Sequence, residues 1–346
     1  MYKNKFIMAP VATNMCDENG IPTEAFEDFY LNIAKGGIGG IILGATTVCE
    51  GGGVTRFTQR LHNQEQGEAL KKIVLKLKQY CPVGIQLFHV GGQGNPNYTG
   101  FPNLAPSKYC HPPIGHTAKE MSETEIKEMQ NAFINSCNLA FKSGCDFVEL
   151  HCAHGYLIHE FLSLHFNHRK DRYGISEEGR SRFLFEILER VQEKNRIGLR
   201  LSGEDFVPHG LNMEFYKWLI PKIEPFGLLY YHITAGIYDS AFTKKDFMAK
   251  GGFQDLAKQF KNLTKIPIIT VGNIKTLRQA EDIIFSQKAD MIAMARALIC
   301  DPMMPIKSFE NRLEEIRICK GCNRCHYLSR NAPGDVVICR GYNNNE

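Results

Sequence analysis

Two histidines three residues apart, followed at once by a tyrosine, close the run DFVELHCAHGY: His151, His154 and Tyr156. A step of three across a strand-to-loop bend can bring both imidazoles to one mouth. Two neutral imidazole N–H groups there suit a carbonyl oxygen on which negative charge develops. A phenol with an ordinary pKa near ~10 is protonated at neutral pH and can donate its proton. Three more histidines follow in the same stretch, His159, His165 and His168. A zinc centre is the rival use for such a set. However, the run HEFLSLH lacks the HExxH spacing that puts two ligands on one helix face, and no nearby Cys or Asp completes a tetrahedral set. The three later histidines are therefore read as loop or packing residues.

A second group of reactive side chains lies near the C-terminus. Cys319, Cys322, Cys325 and Cys339 are spaced C-x2-C-x2-C-x13-C, and thiolates gathered this tightly suit a [4Fe-4S] cluster or a four-cysteine zinc site. A turn that keeps its free thiols is the third reading. The start, MYKNKFIMAPVATNM, has no apolar stretch of signal-peptide length, and no window approaches a membrane span. A cytoplasmic protein is expected, and in that compartment twelve cysteines are reduced thiols or metal ligands rather than a disulfide framework. The formal charge is only +4, and no Lys/Arg stripe interleaves with aromatics, which argues against a nucleic-acid partner. An anionic cofactor would account for the mild positive excess.

The elements that must position these residues recur regularly. Runs of branched apolar residues begin at Phe6, Gly39, Val83, Asp146, Ile197, Leu228, Ile266 and Asp290. Segments of helical spacing lie between them, one opened by a capping-box pair, Ser122 and Glu125. Strands apolar on both faces that alternate with helices indicate a parallel sheet covered by helices, and eight such units predict a closed (β/α)8 TIM barrel. An open doubly wound sheet is the alternative. The barrel is assigned to residues 1–317, with a Cys-rich extension, 318–346, packed on it. The segment 91–119, rich in Gly, Pro and Asn, is read as one long loop that shapes the pocket, together with Ile237, Tyr238 and Asp239.

In such a barrel the chemistry sits at the C-terminal ends of the strands, and a phosphate is often held after strands seven and eight. Gly272 allows backbone N–H groups to approach an anion there, and Arg296 offers a guanidinium fork. Taken with these ends, the set KNKFIMAP, QLFH, ELHCAHGYLIHEFLS, NHRKDRYG, RLSGED, VGN and MARALICDP resembles the Old Yellow Enzyme family of FMN-dependent ene-reductases. The MAR…DP ending and the terminal cysteines are most similar to the branch containing 2,4-dienoyl-CoA reductase and trimethylamine dehydrogenase. The resemblance runs from about Lys3 to the C-terminus. It departs in an abrupt start at strand one and in an end soon after the cysteines, so that the nucleotide-binding domains of that branch are not expected. Ala12 replaces a Thr or Cys, and the second cysteine gap is one residue short.

The resemblance implies FMN as cofactor, His151 and His154 as carbonyl ligands and Tyr156 as proton donor. It also implies contacts to the flavin from Ala9, Pro10, Val11, Ala12, Ala45, Gln86, Arg200, Gly272, Asn273, Ala295 and Arg296. Gln86 supplies a donor and an acceptor for the pyrimidine edge of the ring, and Arg200 the positive charge that favours the reduced form. Arg169, Asp171 and Tyr173 are read as organising their loop. The expected activity is hydride transfer to the β-carbon of an unsaturated carbonyl compound, with NAD(P)H or a protein electron donor as reductant and a homo-oligomer as the assembly. An oxidative amine dehydrogenase or demethylase, and a flavin electron-transfer subunit, remain the alternative functions.

Overall fold

The computed structural model describes residues 3–111, 115–240, 247, 252–327 and 335–342. Its strands in chain order are β1 (Phe6–Met8), β2 (Gly40–Thr47), β3 (Val83–Phe88), β4 (Leu104–Ala105), β5 (Tyr109–Cys110), β6 (Thr117–Glu120), β7 (Phe147–Cys152), β8 (Ile197–Ser202), β9 (Tyr230–Thr234), β10 (Ile268–Thr270) and β11 (Met291–Met294). Eight of them close into one barrel in the order β1, β2, β3, β7, β8, β9, β10, β11, and β11 pairs back onto β1. The neighbours are all parallel, and each of the eight apolar runs supplies one strand. The structure is thus the (β/α)8 barrel expected from the sequence.

Side chains alternate in and out along each strand, so residues two apart share a face and the barrel interior fills in layers. The lowest interior layer is apolar: Ile7, Ile42, Phe147, Tyr230, Ile269 and Ala293 pack together. Phe147 and Tyr230 fill it edge to face, with ring centroids 5.8 Å apart. Two glycines make room for them. A Cβ on Gly84 would lie 2.1 Å from the Phe147 ring, and one on Gly198 would lie 2.3 Å from the Tyr230 ring. Two residues further up the same strands the interior turns polar, with Gln86, Glu149, Arg200 and His232. The next step up places Phe88, His151, Ser202 and Thr234 at the mouth. An apolar floor therefore supports a buried polar layer, and the reactive histidine stands above both.

The outer faces of the strands pack on helices. The helix Glu123–Lys142 buries Ile126, Met129, Phe133, Cys137 and Ala140 at the helical repeat, and the Ser122–Glu125 capping box forms as the sequence indicates. Ser122 Oγ accepts from the Glu125 N–H at 3.2 Å, and the Glu125 carboxylate accepts from the Ser122 N–H at 2.8 Å. Such a cap is worth roughly 1 kcal/mol. No helix among the described residues is long and apolar enough to cross a membrane.

The segment 91–119 differs from the loop expected of it. It carries a small sheet in which β6 pairs with β4 in parallel and with β5 antiparallel. Strands of two to four residues are too short to show an alternating pattern in the sequence. Arg169 ties the segment to the barrel, donating from Nη1 to the carbonyls of Pro106 at 2.8 Å and Met121 at 2.6 Å while its Nε meets Asp171 at 3.0 Å. Asp171 in turn accepts from the Tyr173 N–H at 3.0 Å, so these three residues do organise the loop. At the other end of the chain, Val337 donates to the Thr13 carbonyl at 3.1 Å, and Asn14 Nδ2 donates to the Asp335 carbonyl at 2.8 Å.

Candidate active site

At the end of β7 the chain reverses through two left-handed residues, His154 at φ 63° and Gly155 at φ 78°. Gly155 is required both by its φ and by crowding, since a Cβ there would lie 1.9 Å from Gln93 Nε2. Gln93 fixes the turn by donating to the His154 carbonyl at 2.9 Å, and the His154 N–H donates to Ser202 Oγ at 3.0 Å. The reversal brings the His154 ring back beside His151, with Nδ1 of His154 3.3 Å from Nε2 of His151. The far nitrogen of His154, Nε2, lies 3.0 Å from Thr234 Oγ1. Tyr156 packs edge-on against both His151 and Phe88, with centroids 4.8 and 5.3 Å away, and its hydroxyl meets that of Tyr238 at 3.1 Å. The structure therefore gathers His151, His154 and Tyr156 at one mouth, as the sequence spacing suggested.

The His151 imidazole at this mouth is held neutral. Burial, reinforced by the nearby Arg200 guanidinium, keeps His151 well below the usual histidine range. Its Nδ1 accepts from the Ala153 N–H at 3.3 Å, which leaves the proton on Nε2, the nitrogen aimed at His154. Without substrate, the His151 donor is thus satisfied by its partner.

Beneath lies the polar layer. Gln86 Nε2 donates to Glu149 Oε1 at 2.6 Å, and His232 Nδ1 donates to Glu149 Oε2 at 2.9 Å. Arg200 is buried beside them. Among the described residues neither its Nε nor Nε2 of His232 has a hydrogen-bond partner. The Arg200 Nε–H is a buried donor that calls for an acceptor inside the barrel, whereas Nε2 of His232, whose proton sits on Nδ1, is an acceptor. Ala45 lies within the register irregularity of β2 between Leu43 and Thr46 and packs with Phe88, Val90 and Tyr156. Ala9, Pro10, Val11 and Ala12 leave the end of β1 with rising exposure, Ala9 buried and Ala12 exposed.

After β10 and β11, Gly272, Asn273, Ala295 and Arg296 line a single pocket together with Cys319 and Gly321. Gly272 at φ 108° and Asn273 at φ 53° both have positive φ in this loop. Arg296 Nη1 donates to Asn323 Oδ1 at 2.6 Å, so the cysteine-rich segment supplies part of the pocket wall. A pocket with a guanidinium at one end, and the buried, unpartnered Arg200 Nε–H at the other, fit a phosphorylated flavin such as FMN.

The C-terminal thiols do not fit a metal cluster in the same way. Cys322 and Cys339 both approach Gly341, where a Cβ would lie 3.3 and 3.9 Å from their sulfurs. Yet among the described residues no three Cys, His, Asp or Glu side chains are placed to hold a metal ion. A fifth thiol that the spacing did not single out, Cys300, joins the group and donates to the Arg317 carbonyl at 3.2 Å. Burial first, then hydrogen bonding with Cys339, pushes the Cys300 thiol up to about 12.

Of the histidines read as packing residues, His159 is indeed fully buried, 3.0 Å from Asp205. His165 is more than that. Its Nε2 lies 3.2 Å from Asp239, which also accepts from the Tyr109 hydroxyl, so β5 and the Tyr238–Ser240 turn meet beside the mouth. Sequence reasoning missed Tyr109, Glu149 and His232. The signal available for the last two was a charged residue two places before His151 and a histidine in the middle of an apolar run.

Comparison with known proteins agrees with this geometry. The family model described as "NADH:flavin oxidoreductase / NADH oxidase family" matches residues 1–315. An NADH oxidase of Thermoanaerobacter brockii is 35% identical over 93% of this chain and 51% of its own length. An NADPH dehydrogenase of Geobacillus sp. (strain WCH70) is 32% identical over 88% of each. A solved structure of 2-naphthoyl-CoA reductase with 2-naphthoyl-CoA superposes with a TM-score of 0.89 at 25% identity, covering 98% of this chain and 54% of that one. This chain thus spans about half the length of two of these proteins.

Proposed function

The chain belongs to the NADH:flavin oxidoreductase / NADH oxidase family, which makes it an FMN-dependent oxidoreductase, and from that premise we propose that it is an ene-reductase for α,β-unsaturated carbonyl compounds. The observation that carries this reading is the mouth itself: the imidazoles of His151 and His154 3.3 Å apart with a tyrosine hydroxyl beside them, above a buried polar layer. FMN, when held by Gln86 and Arg200 at its ring and by Gly272, Asn273, Ala295 and Arg296 at its phosphate, supplies the hydride that the β-carbon receives. His151 and His154 hold the carbonyl oxygen and stabilise the charge that develops on it. Tyr156 gives its phenolic proton to the α-carbon. Phe88 and Ala45 keep this face apolar and restrict water.

NADH or NADPH is the proposed reductant. The test is an anaerobic half-reaction. The yellow protein is reduced with NADH or NADPH, and cyclohexenone is then added. Prompt return of the oxidised flavin spectrum, with cyclohexanone as product, is the expected result. A reduced flavin that does not respond to cyclohexenone would refute the ene-reductase reading.

A further inference from the structure

Glu149 takes no part in the chemistry above, yet both of its carboxylate oxygens are engaged inside the barrel. It is fully buried, it binds Gln86 through one oxygen and His232 through the other, and its neighbours on the interior face include the Arg200 guanidinium. The strand register explains the grouping: β3 places Gln86 directly opposite Glu149, while Arg200 on β8 stands between His151 on β7 and His232 on β9. Burial would push the carboxyl up, but His232, Arg200 and Gln86 together hold it below the usual carboxylate range. It is therefore an anion. His232, held below the usual range by burial, is neutral, so the −1 of Glu149 and the +1 of Arg200 bring the layer to a net charge of zero.

Two consequences follow. A carboxylate only accepts, so the Gln86 amide must turn its NH2 toward Glu149 and its carbonyl oxygen away. That sets which edge group of a bound ring Gln86 can meet: an N–H. In addition, the positive field of Arg200 at the ring is partly cancelled from below.

We propose that Glu149 is a positioning residue, whose carboxylate fixes the polarity of the Gln86 amide and balances Arg200, thereby setting both the affinity for FMN and the redox potential of the bound cofactor. This rests on the placement of FMN above the polar layer and is independent of the identity of the alkene. The full-length protein is compared with Glu149→Gln and Glu149→Asp by FMN titration and by equilibration with redox dyes, without any unsaturated substrate.

Glu149→Gln keeps shape but removes charge, leaving the layer at +1, and should shift the FMN midpoint potential to a more positive value. Glu149→Asp keeps the charge but draws back from Gln86. It should leave the potential near that of the native protein while weakening FMN binding about tenfold, the equivalent of one good hydrogen bond. An unchanged or more negative potential in Glu149→Gln overturns the proposal. If Glu149→Gln does not fold, Glu149→Asp decides alone: a potential displaced as far as its affinity overturns the division between charge and orientation. A native protein that binds no FMN overturns the placement and the proposal together. One that binds FMN, shows the shift and ignores cyclohexenone loses only the ene-reductase reading.

Discussion

Alanine at position 155 would have to adopt the left-handed conformation with φ near 78° and place its methyl carbon 1.9 Å from Gln93 Nε2 and 3.2 Å from the Phe166 ring. The backbone conformation alone costs roughly 1–2 kcal/mol for an L-residue. Gln93 is buried and has little room to swing, so its hydrogen bond to the His154 carbonyl is lost as well, at about 1 kcal/mol. A stability loss of about 2–3 kcal/mol is therefore expected from these two contributions. The functional loss is bounded separately. The turn is what returns the His154 ring to His151, and releasing it removes at most one oxyanion donor, on the order of 10² to 10³ in rate. Denaturant unfolding gives the first number, and alkene reduction at saturating FMN gives the second. Gly227→Ala is the control, since Gly227 has φ 66° but no atom within 4 Å of the added carbon. It should lose roughly 1–2 kcal/mol of stability and no activity. If Gly155→Ala matched Gly227→Ala in both assays, the proposed coupling between the turn and the histidine pair would be wrong.

Further outcomes can be checked with single substitutions. His151→Ala or His154→Ala should slow alkene reduction by roughly 10² to 10³ while FMN stays bound, and full activity in the double variant would remove both from the mechanism. Arg296→Ala should purify poor in flavin and regain activity with added FMN. Tyr156→Phe should purify yellow and be slow only in the step that reoxidises the flavin, as seen by stopped-flow absorbance. The pair His165 and Asp239 adds a pH dependence. The bond to Asp239, ahead of the opposing effect of burial, raises His165 above its ordinary value near 6.5, so its stabilisation is complete below that pH and lost as pH rises through the folded value. Asp239 is held below 3.8, because its bonds to His165 and Tyr109 outweigh burial, and its share is lost only in acid. Both groups are partly exposed, so the effect is small. Thermal melts of the native protein and Asp239→Asn should differ most near pH 5 and converge above neutrality.

The barrel was legible because burial on both faces leaves its mark within each strand: runs such as GGIILGATTV and IPIITVGN need no partner to be recognised. His151, His154 and Tyr156 were legible for a related reason, since one short turn carries all three. What the sequence hides is pairing across the barrel. Glu149 and His232 are 83 positions apart and meet only because β7, β8 and β9 are adjacent. Arg296 and Asn323 meet across the pocket wall, and Cys300 joins four thiols through the same tertiary approach. The small sheet of β4, β5 and β6 was missed because strands of two to four residues are too short to show an alternating pattern.

The clasp at the anion pocket has a consequence for how the protein comes into being. Asn323 holds Arg296, Cys319 and Gly321 wall the pocket, and Asp335 and Val337 fasten the same segment to the loop after β1. The loop after β1 therefore waits for residues more than 300 positions further along the chain before the compartment for the phosphate is complete. Barrel closure alone leaves that compartment open on one side. Flavin that enters before this segment docks would still be free to leave, so retention of the cofactor and docking of the segment are a single event.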